Sequence, residues 1–121
     1  MSTLQLLEED IDSQLLLSKV EGRGTALEHL NLSYLSLSDR QLSRVAHVMR
    51  QSPDFANLKQ LWLGSNQLSC LGDLPLPPGL NGIWLFSNRF SAHAALDVLL
   101  RLCRCCPGIQ FVHLVSCCEW N

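Results

Sequence analysis

No stretch of this 121-residue chain is apolar for the ~18 residues that a membrane-spanning helix needs. Asp97 and Arg101 interrupt the best candidate. Neither sign of charge is in excess. Nine Lys and Arg stand against eleven Asp and Glu, a net of −2. The basic surface of a nucleic-acid binder, or of a protein that binds acidic membranes, is therefore missing. Charged residues make up only 17% against 47% hydrophobic, which excludes a disordered tail. The start lacks the apolar run of an export signal, because Glu8, Glu9 and Asp10 fall in its place. The expected compartment is thus the cytoplasm. There the six cysteines are read as thiols or metal ligands rather than bridges. A chain of this size makes one domain or a few units of a repeat, and buries roughly two-thirds of its unfolded surface.

Catalytic patterns are missing too. His29, His47, His93 and His113 are scattered, and no Ser, Cys or carboxylate stands at a recognisable motif spacing from them. Gly22-x-Gly24 lacks the strand, the later glycine and the helix that would make a phosphate loop of it. The expectation is a protein that is not an enzyme and carries no cofactor.

What is present is self-similarity. Four segments align: Leu27–Leu35, Leu58–Asn66, Leu80–Asn88 and Ile109–Cys117. Each carries aliphatic residues at its first, fourth and sixth positions: Leu27, Leu30 and Leu32; Leu58, Leu61 and Leu63; Leu80, Ile83 and Leu85; Ile109, Val112 and Leu114. The ninth positions are Leu35, Asn66, Asn88 and Cys117, and Leu37, Leu68 and Phe90 follow two residues later. The alternation of positions four and six suits a short strand with one buried face. An Asn at position nine can satisfy backbone groups that the turn out of the strand leaves unpaired. Leu35 cannot, so the first unit is expected to be less regular there.

The starts near 27, 58, 80 and 109 give units of 31, 22 and 29 residues. The long units have room for a helix on the return path. Leu42, Val45, Ala46 and Met49 recur at helical spacing, with Ser38 or Asp39 as N-cap and Pro53 as the stop. In the third unit Ser91 caps, Leu96, Leu99, Leu100 and Cys103 are expected to face inward, and Pro107-Gly108 ends the helix. Between them, Pro75, Pro77 and Pro78 demand an extended chain.

This spacing, LxxLxLxx(N/C)xL, resembles the leucine-rich repeat over about residues 27–117. The helical units are similar to the ribonuclease-inhibitor subtype, and the middle unit to the short Pro-rich repeats of bacterial effectors. The resemblance implies an α/β solenoid: a curved parallel sheet of about four short strands with helices on the convex side. Residues 25–121 would be the repeats and 1–24 an N-terminal helical cap. Within that cap Leu4, Leu7, Ile11 and Leu15 share a helical face, and Gly22 and Gly24 end it. No comparable cap is read after the fourth strand, which leaves three expectations open: Trp120 folds over the C-terminal edge, the edge pairs with another chain, or the chain is a truncated form of a longer array.

The third, fifth and seventh positions point away from the core and read out the concave surface. They are His29, Gln60, Gly82 and Phe111; Asn31, Trp62, Trp84 and His113; Ser33, Gly64, Phe86 and Val115. Neighbouring strands lie about 4.8 Å apart, so Trp62 and Trp84 should be adjacent, flanked by Phe86 and His113. Large rings that the core does not need mark an interface anchor. The plainer alternative is a Trp pair packed on itself or under the N-terminal segment. Gln60, Trp62, Trp84, Phe86, Phe111 and His113 are the candidate partner-binding residues, for a protein or peptide.

Cys103 and Cys106 have C-x-x-C spacing, with Cys117-Cys118 further on, which raises a zinc or thiol site. Cys103 reads as a core residue and Cys117 as a turn residue, which argues against it; Cys105, Cys106 and Cys118 are the expected exposed thiols. The functional expectation is a non-catalytic interaction module. The alternatives are a subunit of a larger ciliary, cytoskeletal or regulatory assembly, and a thiol-based or zinc-binding protein.

Overall fold

Parallel neighbours need a crossover between successive strands, and the helices and loops between the repeat segments supply it. The computed structural model describes residues 2–5, 27–114 and 118–119. Strands β1 (Ser2–Gln5), β2 (Leu27–Asn31), β3 (Gln60–Trp62), β4 (Gly82–Trp84) and β6 (Phe111–His113) form one five-stranded sheet. They pair in sequence order and every pair is parallel. A second sheet joins β5 (Phe90–Ser91) to β7 (Cys118–Glu119), again parallel.

The register matches the alignment of the segments residue for residue. His29, Gln60, Gly82 and Phe111 are successive partners; so are Leu30, Leu61, Ile83 and Val112; so are Asn31, Trp62, Trp84 and His113. Leu27, Leu30, Leu32, Leu58, Leu61, Leu63, Leu80, Ile83 and Leu85 are fully buried in one cluster. Ile109, Val112 and Leu114 are only partly buried against it.

Helix α1 (Asp39–Gln51) follows β2 and buries Leu42, Val45, Ala46, Val48 and Met49. Ser38 caps it in a full capping box: its hydroxyl accepts the Gln41 N–H, and the Gln41 side chain accepts the Ser38 N–H. A 3₁₀ turn at Pro53–Phe55 ends this stretch. Helix α2 (Ala92–Cys105) is capped by Ser91, whose hydroxyl accepts the Ala94 N–H. Between β3 and β4 the described chain has neither helix nor strand. The two helices hold that stretch from either side. Arg50 of α1 donates to the Asp73 carbonyl and pairs with the Asp73 carboxylate at 2.9 Å. Arg101 of α2 donates to the carbonyls of Gly72 and Leu74, both at 2.8 Å.

The turns of the second and third units each rest on an asparagine. The Asn66 amide donates to the Leu32 and Leu63 carbonyls, both at 2.9 Å, and its carbonyl accepts the Leu35 and Leu37 N–H groups at 3.1 and 3.0 Å. Asn88 repeats the pattern on the Leu63 and Leu85 carbonyls and the Leu68 N–H. Asn66 is buried; Asn88 is only half-buried. The residue before each, Ser65 and Ser87, is left-handed with φ 55°. The first unit, with Leu35 in the ninth place, has two left-handed residues instead, Tyr34 and Ser36. Its turn is the less regular one, as expected.

Two expectations are corrected. Ser2–Gln5, taken as the start of a helical cap, is a strand: Thr3, Leu4 and Gln5 pair with His29, Leu30 and Asn31. Pairing satisfies backbone groups that the outer side of β2 would otherwise leave open. The rest of the expected cap, with Leu7, Ile11 and Leu15, lies outside the described residues, as do Cys117 and Trp120. The second correction is the rotation of α2. It buries Ala95, Val98 and Leu102, and leaves Leu96, Leu99, Leu100 and Cys103 exposed. The small Ala95 and Val98 allow the helix to sit close to the core, and Arg101 reaches the Gly72–Leu74 carbonyls only in this rotation.

Candidate functional site

Opposite the buried leucines, the other face of the sheet carries an aromatic row. Trp62 and Trp84 are register partners. Their rings stack with centroids 4.0 Å apart and planes within 2°. Phe111 continues the row beside Trp84, at 6.5 Å and 21°. Phe86 lies one residue pair further along the strands, 5.4 Å from His113 and 6.1 Å from Tyr34.

Two glycines set the pose of these rings. A Cβ on Gly82 would stand 2.6 Å from the Trp84 ring, and one on Gly64 would stand 2.3 Å from the Phe86 ring. Real Cβ atoms do not approach so closely, so each ring lies where only glycine leaves room. Trp84 folds back along its own strand over Gly82, and Phe86 leans across to the neighbouring unit over Gly64. The pose of each ring is thereby set by the bare backbone beneath it.

The six candidate residues are thus on one surface. Gln60 pairs between His29 and Gly82; Trp62, Trp84 and Phe86 are half-buried; Phe111 and His113 are exposed. Trp84, Phe111 and His113 line a shared cleft of about 350 Å³ with Gln110 and Val112. Tyr34, 72% exposed at the edge of this surface, was missed because it is the eighth residue of its unit, outside the third, fifth and seventh positions read as the surface. Ser33 is not part of the readable face: it is buried, and its hydroxyl accepts the Gly64 N–H at 3.0 Å. Gly64 and Gly82 are likewise covered, by the rings that lie on them. Val115 lies outside the described residues.

The aromatic row bears no carboxylate, lysine or arginine. An ion pair, Lys59 to Glu28 at 2.8 Å, sits one position earlier on the strands. The Lys59 hydrogen bond, and then its charge, hold the Glu28 carboxyl below its usual range.

The cysteines separate differently from the expectation. Cys70, Cys103 and Cys105 are exposed, and Cys106 is buried. The Cys106 thiol donates to the Pro77 carbonyl at 3.3 Å, and burial pushes its pKa up. Cys103 and Cys106 therefore point to different sides of the chain, because α2 is rotated from the expected setting. Among the described residues no three His, Cys, Asp or Glu side chains converge as metal ligands. Among them too, no helix is long and apolar enough to cross a membrane. No family model, curated protein or solved structure matches the chain.

Proposed function

We propose that the chain is a small cytoplasmic module of the leucine-rich-repeat kind. In this reading it binds a protein or peptide through its aromatic sheet face and carries out no chemistry of its own. One observation carries the reading: the Trp62–Trp84 stack, partly open to solvent and posed over Gly82. Tryptophan is the side chain most enriched among residues that dominate binding energy. A stack of two, extended by Phe111, offers a large rigid area at little entropic cost. The absence of formal charge along the row suits an apolar or aromatic segment of the partner.

The test compares proximity-labelled partners of the wild type with those of a Trp62→Ala/Trp84→Ala double variant. The rings lie outside the leucine core, so the variant is expected to fold, which circular dichroism checks. Loss of a discrete set of partners supports the reading. Survival of every partner in a folded double variant refutes it.

A further inference from the structure

The aromatic row is not evenly spaced. The Trp62 and Trp84 rings are in contact, with centroids 4.0 Å apart and planes within 2°. The next interval is wider. The Trp84 and Phe111 centroids stand 6.5 Å apart, with planes 21° from parallel. Trp84 lies back over Gly82, and Gly82 is the register partner of Phe111. The two rings therefore meet at one level of the sheet, where β4 has no side chain of its own. The gap between them belongs to the cleft of about 350 Å³ that Gln110, Val112 and His113 complete. Strand β7 pairs with β5 and packs on α2, on the helical side of the sheet and away from this cleft.

The gap has nearly the thickness of one flat group. Carbon atoms in contact lie about 3.5 Å apart, so a planar group between two rings needs about 7 Å. A small rotation of the Phe111 side chain, 59% exposed, supplies the difference. A lysine ammonium has no flat face to lay against the rings, and a methylated one is too thick for the gap. Charge then chooses among the flat groups. The faces of both rings are electron-rich and attract a cation. The row bears no lysine or arginine to repel one, and the chain carries −2 overall. Gln110 stands exposed at the rim, and its amide carbonyl can accept an N–H presented edge-on. A guanidinium is flat, cationic and ringed with donors, and it is more weakly hydrated than an ammonium.

We propose that the Trp84–Phe111 cleft receives the guanidinium of an arginine in the bound segment. The inference rests on the aromatic-face reading and names the residue that this face selects within an otherwise apolar partner segment. The arginine enters flat between the two rings with its N–H edge toward Gln110. Its apolar neighbours lie along the Trp62–Trp84 stack.

Selection from a display library of random short peptides on the full chain is the test. Peptides that bind the wild type but not Trp62→Ala/Trp84→Ala are expected to share an arginine among apolar residues. A synthetic peptide from that set is then varied at its arginine and titrated against the wild-type chain. Lysine keeps the charge and loses the plane; citrulline keeps the plane and loses the charge. Each is expected to bind roughly tenfold more weakly. Phe111→Ala removes one wall of the cleft and should weaken the arginine peptide by a similar factor, and Phe111→Trp should restore it. Selected peptides that need the tryptophans but share no arginine overturn this proposal and leave the aromatic-face reading standing. So does an arginine that lysine or citrulline replaces without loss, or a folded Phe111→Ala that binds as well as wild type. Failure to select any peptide that needs the tryptophans overturns the aromatic-face reading and this proposal with it.

Discussion

Replacing Asn66 with alanine should be among the most damaging single polar substitutions in the chain, and the hydrogen bonds say by how much. The amide serves three carbonyls and two N–H groups across two units; of the carbonyls, Gly64 keeps the Tyr34 N–H. The Leu63 carbonyl keeps a second donor, Asn88 at 2.9 Å. That leaves the Leu35 and Leu37 N–H groups and the Leu32 carbonyl to lose the Asn66 side chain. Leu32 and Leu37 are fully buried and Leu35 nearly so, so water reaches these groups poorly. A buried group left unpaired costs about 1–3 kcal/mol. Three such groups, with partial relaxation and some water entry, give about 3–5 kcal/mol. That is a large share of the 5–15 kcal/mol typical of a whole domain.

Asn88→Ala is the internal control. It orphans chiefly the Leu68 N–H and the Leu85 carbonyl, at a half-buried site that water can enter. Its expected cost is about 1–3 kcal/mol. Urea unfolding followed by circular dichroism measures both, with equal slopes required before the midpoints are compared. Asn66→Asp sharpens the result: the acceptor remains while the two donors are lost, and a charge is introduced into a dry turn. It should cost at least as much as alanine. The reasoning is refuted if Asn66→Ala falls within about 0.5 kcal/mol of wild type, the range of ordinary surface changes. It is also refuted if Asn88→Ala proves the more damaging of the two.

Gly82→Ala should push the Trp84 ring out of its pose, because the new methyl would stand inside the ring's edge. The near-ultraviolet circular dichroism signal of the coupled Trp62–Trp84 pair is expected to collapse while the far-ultraviolet spectrum holds. In a thiol-labelling time course, Cys70, Cys103 and Cys105 are expected to react promptly. Cys106, buried and with its thiol pKa raised, should react only at the rate of local opening. Glu28 gives a pH test. Its carboxyl is held low by Lys59, so the pair's contribution is present above the ordinary carboxylate range and is lost as pH falls through the depressed value. In Lys59→Met an NMR titration should find the Glu28 carboxyl higher than in wild type.

The strands were legible because their signal is local and strict. One buried face per strand forces apolar residues to alternate, so aligning Leu30, Leu61, Ile83 and Val112 in sequence also aligned them in register. The aromatic row was legible for the same reason: once Leu61 and Ile83 point in, Trp62 and Trp84 must point out and meet. The poses of the rings were not. They depend on which residue lies beneath, and Gly64 and Gly82 read in sequence as gaps in the surface rather than as seats for Phe86 and Trp84. The β1 strand was illegible because Leu4 shares a helical spacing with Leu7, Ile11 and Leu15 in the sequence, and a four-residue strand has too little alternation of its own to outweigh it. Only the open side of β2 decides between them.

The rotation of α2 was illegible for an energetic reason. The helix carries two apolar stripes, Ala95–Val98–Leu102 and Leu96–Leu99/Leu100–Cys103, and hydrophobicity alone favours burying the second. The structure buries the first. Arg101 then makes two charge-assisted hydrogen bonds to the Gly72 and Leu74 carbonyls, worth about 1.5–3 kcal/mol each where shielded and less in the partly exposed setting here. Cys106 is also drawn into the core against Pro77. On the other side of the balance, three leucines stay about half exposed. Full burial of a leucine is worth about 1.5–3 kcal/mol, so the isolated chain forgoes roughly 1 kcal/mol at each of them, as an upper estimate. A rotation that fastens the helix to the unit behind it must turn its larger apolar stripe away from that unit. The attachment that holds the loop between β3 and β4 thus also leaves that stripe exposed.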